Sequence, residues 1–280
     1  MNNLIALAKL MPSMLLHRIR TRRSNKKVAP GTQWVKVMAG PLQGCQMFLD
    51  PSSPAYWQRE MMEGRYDSFI YKALTGYNGI GGATVWDIGA HIGYHSLAFA
   101  SLVGPSGHVV AFEPNPYNID RFCKNLQRNP QLAEQIILKN CALSNVDGEA
   151  SFLFSSEVDD GRSTGSHLEK ALVPENPEAY RSFKRTNIAA LKADTIMRDK
   201  LTPLPSIVKL DVEGAEQLVF EGAVVLLSTQ KPLLFIEVHN ITMMFYVQKI
   251  LNSLGYNMEI LDAEHSSLSR CFVMARHDSR

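Results

Sequence analysis

Four carboxylates stand at the ends of apolar runs in this 280-residue chain: Asp87, Glu113, Asp211 and Glu237. His239 lies two residues beyond the last. In open α/β sheets, ligands bind beyond the carboxyl ends of the strands, which is where such acids would sit. There a carboxylate can accept a hydrogen bond from a hydroxyl, pair with a cation or take a proton. The most organised of the four stretches is Ala83-Thr-Val-Trp-Asp87-Ile-Gly89-Ala-His91-Ile-Gly93, followed by the apolar residues Leu97 to Val103. It reads as strand, glycine turn and helix, the opening of a nucleotide-cofactor domain.

Two cofactor classes use that layout. A dinucleotide site wants G-x-G-x-x-G after the strand. Here His91 falls where the middle glycine would be, and the motif is D-x-G-x-x-x-G instead. An acid at the strand end suits S-adenosylmethionine, whose ammonium group wants a nearby carboxylate. Glu113 closes the next apolar run, His108-Val-Val-Ala-Phe-Glu113, and lies 24 residues after Gly89. A carboxylate about 20 residues beyond the turn can bond the ribose hydroxyls of an adenosine cofactor. Glu113 therefore indicates adenosine, and Asp87 with the missing glycine selects S-adenosylmethionine over NAD.

The second half of the chain supplies candidates for catalysis. Asp211 ends Ser206-Ile-Val-Lys-Leu-Asp211, and Gly214 opens the following helix. Glu213 and Glu216 serve equally well as partners of that helix N-terminus. Strand alternation puts Glu237 and His239 on one side of their strand, and a histidine can take a proton near neutral pH. Asp211, His239 and Glu237 are thus the candidates for catalysis. Asp211, Glu237 and Asn240 are the oxygen ligands that a Mg²⁺ ion would use. His91 and His95 are weaker base candidates, with His91 expected to meet the cofactor through its backbone. Asp67 could face the cofactor, although a helix-terminal acid explains it as well.

The elements that must position these residues alternate from residue 83. Strands are expected near 83–88, 108–113, 136–143, 150–154, 206–211 and 232–239, with helices between most of them. Tyr256-Asn-Met-Glu-Ile-Leu261 and Arg270-Cys-Phe-Val-Met-Ala275 close the chain as a hairpin pair. The expected fold is α/β and Rossmann-like: a mostly parallel seven-stranded sheet with a C-terminal antiparallel edge hairpin and helices on both faces. Residues 29–80 read as a β-hairpin plus helical lead-in, and 81–280 as the Rossmann-like domain. The polar, turn-rich excursion 155–185 is a candidate substrate-covering insertion.

Charge divides the chain. Eight bases and no acid precede Asp50, whereas the remainder carries 21 bases and 27 acids. Residues 1–28 have helical apolar spacing at Leu4, Leu7, Met11, Met14 and Leu15, followed by an arginine cluster. This is a basic amphipathic leader, a candidate for peripheral contact with an anionic membrane surface. Secretory signals place their positive charge before the apolar segment, not after it. No apolar run reaches the roughly 18 residues of a transmembrane helix. The four cysteines show no metal-type spacing and fit a cytoplasmic protein. The acidic body opposes a nucleic-acid partner.

The ordered set of motifs resembles the FkbM family of S-adenosylmethionine-dependent methyltransferases from about residue 38 onward. The matching pieces are Gly64-Arg-Tyr-Asp67, Asp87-Ile-Gly-Ala-His-Ile-Gly-Tyr94, Val110-Ala-Phe-Glu-Pro-Asn-Pro116, Cys141-Ala-Leu-Ser144, Val208-Lys-Leu-Asp-Val-Glu-Gly-Ala-Glu216 and Phe235-Ile-Glu-Val-His239. His91 stands where the family usually has Asn, and Asp67 where it usually has Glu. The resemblance implies a class I methyltransferase fold. It implies a cofactor-binding set of Asp87, Gly89, Ala90, His91, Gly93, Glu113, Pro114, Asn115, Cys141 and Ala142. It also implies O-methylation of a hydroxyl on a sugar, glycan or other small molecule. The alternative is a non-catalytic module of the same fold that binds or scaffolds at a membrane surface.

Overall fold

Strands that carry apolar side chains on both faces must be covered from both sides, and this chain supplies helices for each. The computed structural model describes residues 31–155, 165–171, 183–261 and 270–279. The leader expected over 1–28, and most of the insertion expected over 155–185, lie outside the described residues. The chain opens with β1 (Gln33–Lys36) and β2 (Gln46–Leu49), paired antiparallel. Two helices follow, α1 (Tyr56–Glu63) and α2 (Ser68–Thr75), separated by Gly64 in the left-handed conformation. The helical lead-in is thus two helices, because Gly64 ends α1 and its missing Cβ lets the Ala39 carbonyl approach.

The main sheet is built from β3 (Thr84–Ile88), β4 (His108–Phe112), β5 (Ile136–Lys139), β10 (Ile207–Leu210), β11 (Leu233–Val238), β12 (Tyr256–Ile260) and β13 (Cys271–His277). Its order is β12-β13-β11-β10-β3-β4-β5. The five strands from β11 to β5 in that order are parallel, and β13 runs antiparallel to both β11 and β12. This is the class I methyltransferase architecture expected from the sequence. Between the strands run α3 (Tyr94–Val103), α4 (Pro116–Arg128), α5 (Pro130–Ala133), α6 (Ala193–Arg198), α7 (Glu216–Glu221), α8 (Val224–Gln230) and α9 (Ile241–Ser253).

Period-two alternation divides the strand side chains between two cores. Val85, Val109, Ala111, Ile207 and Phe235 face one cluster with α1, α2 and α3. Trp86, Val110, Phe112, Val208, Leu210 and Ile236 face the other, against α6 to α9. Asp87, Lys209 and Glu237 share the parity of the first set, so they project toward the N-terminal helices. The hairpin is fastened to that layer by buried polar bonds. Asn125 Oδ1 accepts from Phe48 N at 2.8 Å, and Arg121 Nε donates to Phe48 O at 2.6 Å.

The region between β5 and β10 differs from the sequence expectation. The run 136–143 is broken after Lys139, and β6 (Ala142–Leu143) joins a second sheet with β7 (Gly148–Ser155), β8 (His167–Leu168) and β9 (Phe183–Leu191). β9 carries Lys184, Arg185, Thr186 and Asn187 at its start, and this polar composition hides a nine-residue strand in a stretch that reads as loop. It pairs along the whole of β7.

The turn after β3 depends on Gly89. Its φ is +79°, and an added Cβ would lie 1.8 Å from the Asp211 carbonyl oxygen. Gly89→Ala is expected to cost about 2–4 kcal/mol, since strain and backbone collision combine. Exposed Gly81 has nothing within 4 Å of an added Cβ, so Gly81→Ala should be neutral or mildly stabilising. Urea unfolding checks both, and an unchanged midpoint for Gly89→Ala would contradict the packing described.

Candidate active site

The strand order changes direction on either side of β3, with β4 on one flank and β10 on the other. A cavity of about 400 Å³ opens at this switch point, the place where α/β sheets bind ligands. The ends of β3, β4, β10 and β11 form its floor, α1 one wall, and residues 165–168 another. Gly89, Ala90, His91, Glu113, Pro114 and Ala142 line it, as do Asp211 and Glu237.

The remaining candidates lie behind this lining. Asp87 is fully buried, accepts from Ser96 Oγ at 2.5 Å and lies 3.4 Å from Lys209 Nζ. It supports the floor and does not reach the cavity. Gly93 packs on the Phe122 ring, which fills the space of a Cβ at 2.2 Å. Asn115 caps α4 by accepting from Tyr117 N at 3.0 Å, and it donates to Ser166 Oγ at 3.2 Å. Cys141 is buried among the residues of the opposite core, and burial pushes its thiol up to about 12.

Glu113 is the best organised residue of the floor. Oε2 accepts from His91 N at 2.7 Å, and Oε1 accepts from Asn115 N at 2.8 Å and Asn118 Nδ2 at 3.2 Å. Three of roughly four acceptor directions are taken, which leaves Oε2 able to accept from a ligand hydroxyl. Burial pushes the carboxyl up to about 7 against the pull of these donors.

The catalytic candidates form a dense ionic cluster. His239 Nδ1 meets the buried Glu216 Oε1 at 2.6 Å, and its Nε2 lies 3.5 Å from both Asp211 and Glu213. Burial works against a charged ring, but the Glu216 hydrogen bond and the charges of Glu213, Glu237 and Asp211 outweigh it, raising His239 to about 10. The ring is an imidazolium at neutral pH, so it is badly suited to be the base that its sequence position suggests. Burial and the neighbouring Asp211 push Glu237 up to about 8. Burial also acts to raise Asp211, but Lys209 and His239 bring it below the ordinary range.

Two cations complete the cluster and were not singled out from the sequence. Lys209 is buried, with Nζ donating to Gly89 O at 3.0 Å and lying 3.4 Å from Asp211 and Asp87. Its signal was available, since a lysine inside a buried strand run requires partners. Arg270 Nη1 pairs with Glu237 Oε1 at 2.9 Å. It lies outside any motif and reaches the site only through the antiparallel β13 edge.

Asp211, Glu237 and His239 present ligand atoms all within 4.8 Å of one another. Mg²⁺ prefers oxygen donors and retained waters. One donor here is an imidazole nitrogen, and both carboxylates are already answered by Lys209 and Arg270. Asn240 Oδ1 caps α9 by accepting from Met243 N at 2.9 Å. This donor set does not fit Mg²⁺.

A model described as the methyltransferase FkbM domain matches residues 87–258. The chain belongs to the FkbM methyltransferase family. It is 30% identical over 138 residues to the hexuronic acid methyltransferase AglP of Haloferax volcanii, covering 49% of this chain and 48% of that protein. A shorter match, 43% over 47 residues, is to a protein-L-isoaspartate O-methyltransferase of Methanothrix thermoacetophila, covering 17% of this chain and 22% of that one. Among solved structures, the methyltransferase FkbM of Methylobacillus flagellatus aligns with 20% identity and a TM-score of 0.47. That alignment covers 69% of this chain and 43% of the other. The chain thus spans about half the length of the AglP relative.

Both departures from the usual family residues are engaged in structure. His91 adopts a left-handed φ of 51°, which turns its N–H onto Glu113. Asp67, at φ 46°, makes no cap bond to α2 and instead meets His95 Nε2 at 3.1 Å, while Tyr71 OH meets His95 Nδ1 at 2.6 Å. Both ring nitrogens of His95 are therefore occupied. Among the described residues, no helix is long and apolar enough to cross a membrane.

The raised His239 predicts a specific pH response. Below its ordinary value of 6.5 the ring is protonated whether the chain is folded or not; from there toward 10 only the folded state keeps the proton. Its contribution to stability is therefore lost as pH rises across that window. Nitrogen-15 NMR should show both ring nitrogens of His239 protonated at pH 8, and His239→Gln should flatten the fall in stability above neutrality. A neutral ring at that pH would contradict the cluster electrostatics.

Proposed function

We propose that this protein transfers a methyl group from S-adenosylmethionine to a hydroxyl of a sugar-type acceptor. The observation that carries the reading is Glu113, fixed by His91 N and Asn115 N at the floor of a cavity that Asp211 and Glu237 also line. The residues present fit the cofactor. Glu113 would hold a ribose hydroxyl, and Ala142, Leu143 and Phe112 offer an apolar wall to an adenine ring. Asp211 lines the cavity where Asp87 does not, so it is the acid that would meet the ammonium group. When bound, the cofactor supplies a sulfonium-activated methyl group. The AglP relative, named for hexuronic acids, favours a sugar acceptor.

The remaining chemistry belongs to the chain. An acceptor hydroxyl must be aligned and must lose its proton, and alignment alone supplies about 7–11 kcal/mol at best. Glu237 is the group suited to take that proton. It lines the cavity, is buried, and has been raised toward the working range of a general base. Arg270 and the His239 imidazolium hold its position and compensate the charge it carries once ionised. Mg²⁺ has no part in this reading, because its donors are otherwise engaged.

Transfer of labelled methyl groups to sugar acceptors tests the assignment. Activity should rise as pH passes through about 8, where Glu237 ionises. Glu237→Gln should remove that dependence and lower turnover by about 10²–10⁴-fold, with cofactor affinity retained. A chelator should leave the rate unchanged. Turnover by Glu237→Gln close to that of the unaltered protein would contradict the base assignment.

A further inference from the structure

The expected cofactor contacts follow the strand ends in sheet order: Ala142 just beyond β5, Glu113 at β4, Gly89 at β3 and Asp211 at β10. The next strand in the row is β11, which carries Glu237. An acceptor therefore belongs over the β10–β11 end of the cavity. Tyr66 lines the cavity together with Asp211 and Glu237, and the cofactor contacts leave it unused. It is half-buried, in the turn between α1 and α2. Among the described residues its hydroxyl makes no hydrogen bond, and it is not one of the partnerless atoms sealed from solvent. We propose that Tyr66 seats the acceptor, its hydroxyl donating to a sugar oxygen beside the hydroxyl that gives its proton to Glu237; this role rests on the methyl-transfer reading.

Charge places the phenol at that corner. Burial, and then the charges of Asp67, Asp211 and Glu237, raise it well above its ordinary value. The hydroxyl is thus near the two carboxylates of the β10 and β11 ends, and it keeps its proton at any working pH. Ionised carboxylates only accept hydrogen bonds, whereas a phenol can donate. The cations of the corner are already engaged: Lys209 with Gly89 O, Asp87 and Asp211, and Arg270 with Glu237 and the Tyr56 hydroxyl. A sugar bears hydroxyls that both donate and accept, so it satisfies the carboxylates and the phenol together.

Neighbouring groups hold the ring in place before any acceptor arrives. Arg65 N and Tyr66 N both donate to Glu60 O, at 2.9 and 3.3 Å. The Tyr66 ring meets Tyr94 edge-on at 5.7 Å and His95 at 5.3 Å. His95 is itself fixed by Asp67 and Tyr71. This gives the left-handed backbone of Asp67 a purpose, since strain of that kind persists where the surrounding structure enforces it and gathers at functional sites. Acceptor choice is thereby assigned to the α1–α2 turn, and the cofactor floor to the strand ends.

The test follows the Cζ resonances of the full chain labelled with carbon-13 at the Cζ of its nine tyrosines. Tyr66→Phe and Tyr256→Phe identify two of the signals, and Tyr256 OH is already bonded to Leu227 O at 3.3 Å. The protein is saturated with S-adenosylhomocysteine, and methyl glucoside or methyl glucuronide is then added to tens of millimolar. The Tyr66 resonance should move with saturation, while the Tyr256 resonance stays in place. In Tyr66→Phe the half-saturating sugar concentration should rise about five- to ten-fold, the size of one lost hydrogen bond. Its affinity for S-adenosylhomocysteine and its thermal midpoint should be unchanged, because the hydroxyl has no partner in the free protein; a purely structural role would lower the midpoint. A Tyr66 signal that ignores both sugars, or equal sugar affinity in Tyr66→Phe, would overturn the proposal. A loss of S-adenosylhomocysteine affinity in Tyr66→Phe would overturn it too, by placing the residue on the cofactor. Failure of S-adenosylhomocysteine to bind the unaltered chain in calorimetry would instead sink the methyl-transfer reading.

Discussion

The site depends on one buried ammonium group. Lys209 sits in the middle of β10, directly opposite Asp87 of β3. From there it reaches the Gly89 carbonyl, Asp87 and Asp211. Burial alone would drive the proton off, but Asp211 and Asp87 outweigh it, and the lysine is held charged. Three features expected to serve a ligand directly are thereby tied to one another first: the strand-end acid, the glycine turn and the acid of the next strand. Taking the cation away would leave Asp87 as an uncompensated buried charge, a loss of the kind that costs about 3–5 kcal/mol.

From this anchor the charges run outward along the carboxyl edge of the sheet. Lys209 depresses Asp211, and Asp211 in turn helps raise Glu237 and hold His239 positive. Acids that look equivalent in sequence consequently divide into different kinds: ionised Asp211, and Glu237 poised near neutrality. His239 becomes a fixed cation. Separation of this sort between neighbouring titratable groups is a mark of acid–base sites.

The fold was legible because its signals are local. The D-x-G-x-x-x-G turn, the strand-end acids and the closing hairpin pair each announce an element, and their order predicts the sheet. β9 was not legible, since its polar opening residues carry no strand period and it forms by pairing with β7 and β6. At the site, the positions of Glu113, Asp211 and Glu237 follow from strand parity. The retreat of Asp87 behind Lys209 does not, because it depends on a cross-strand ion pair. Trp57 and Arg270 come from elements separated by more than 200 residues, and only tertiary packing brings them to one cavity. Asn240 read as a metal ligand because capping and ligation call for the same side-chain oxygen.

The central claim is that the cavity at the β3–β10 switch point holds S-adenosylmethionine against Glu113. A crystal structure with S-adenosylhomocysteine bound tests it most directly. The account predicts a ribose hydroxyl within hydrogen-bond distance of Glu113 Oε2, the adenine beside Ala142 and Leu143, and the amino group toward Asp211. A nucleoside lying elsewhere, or a ribose with no contact to Glu113, would contradict it.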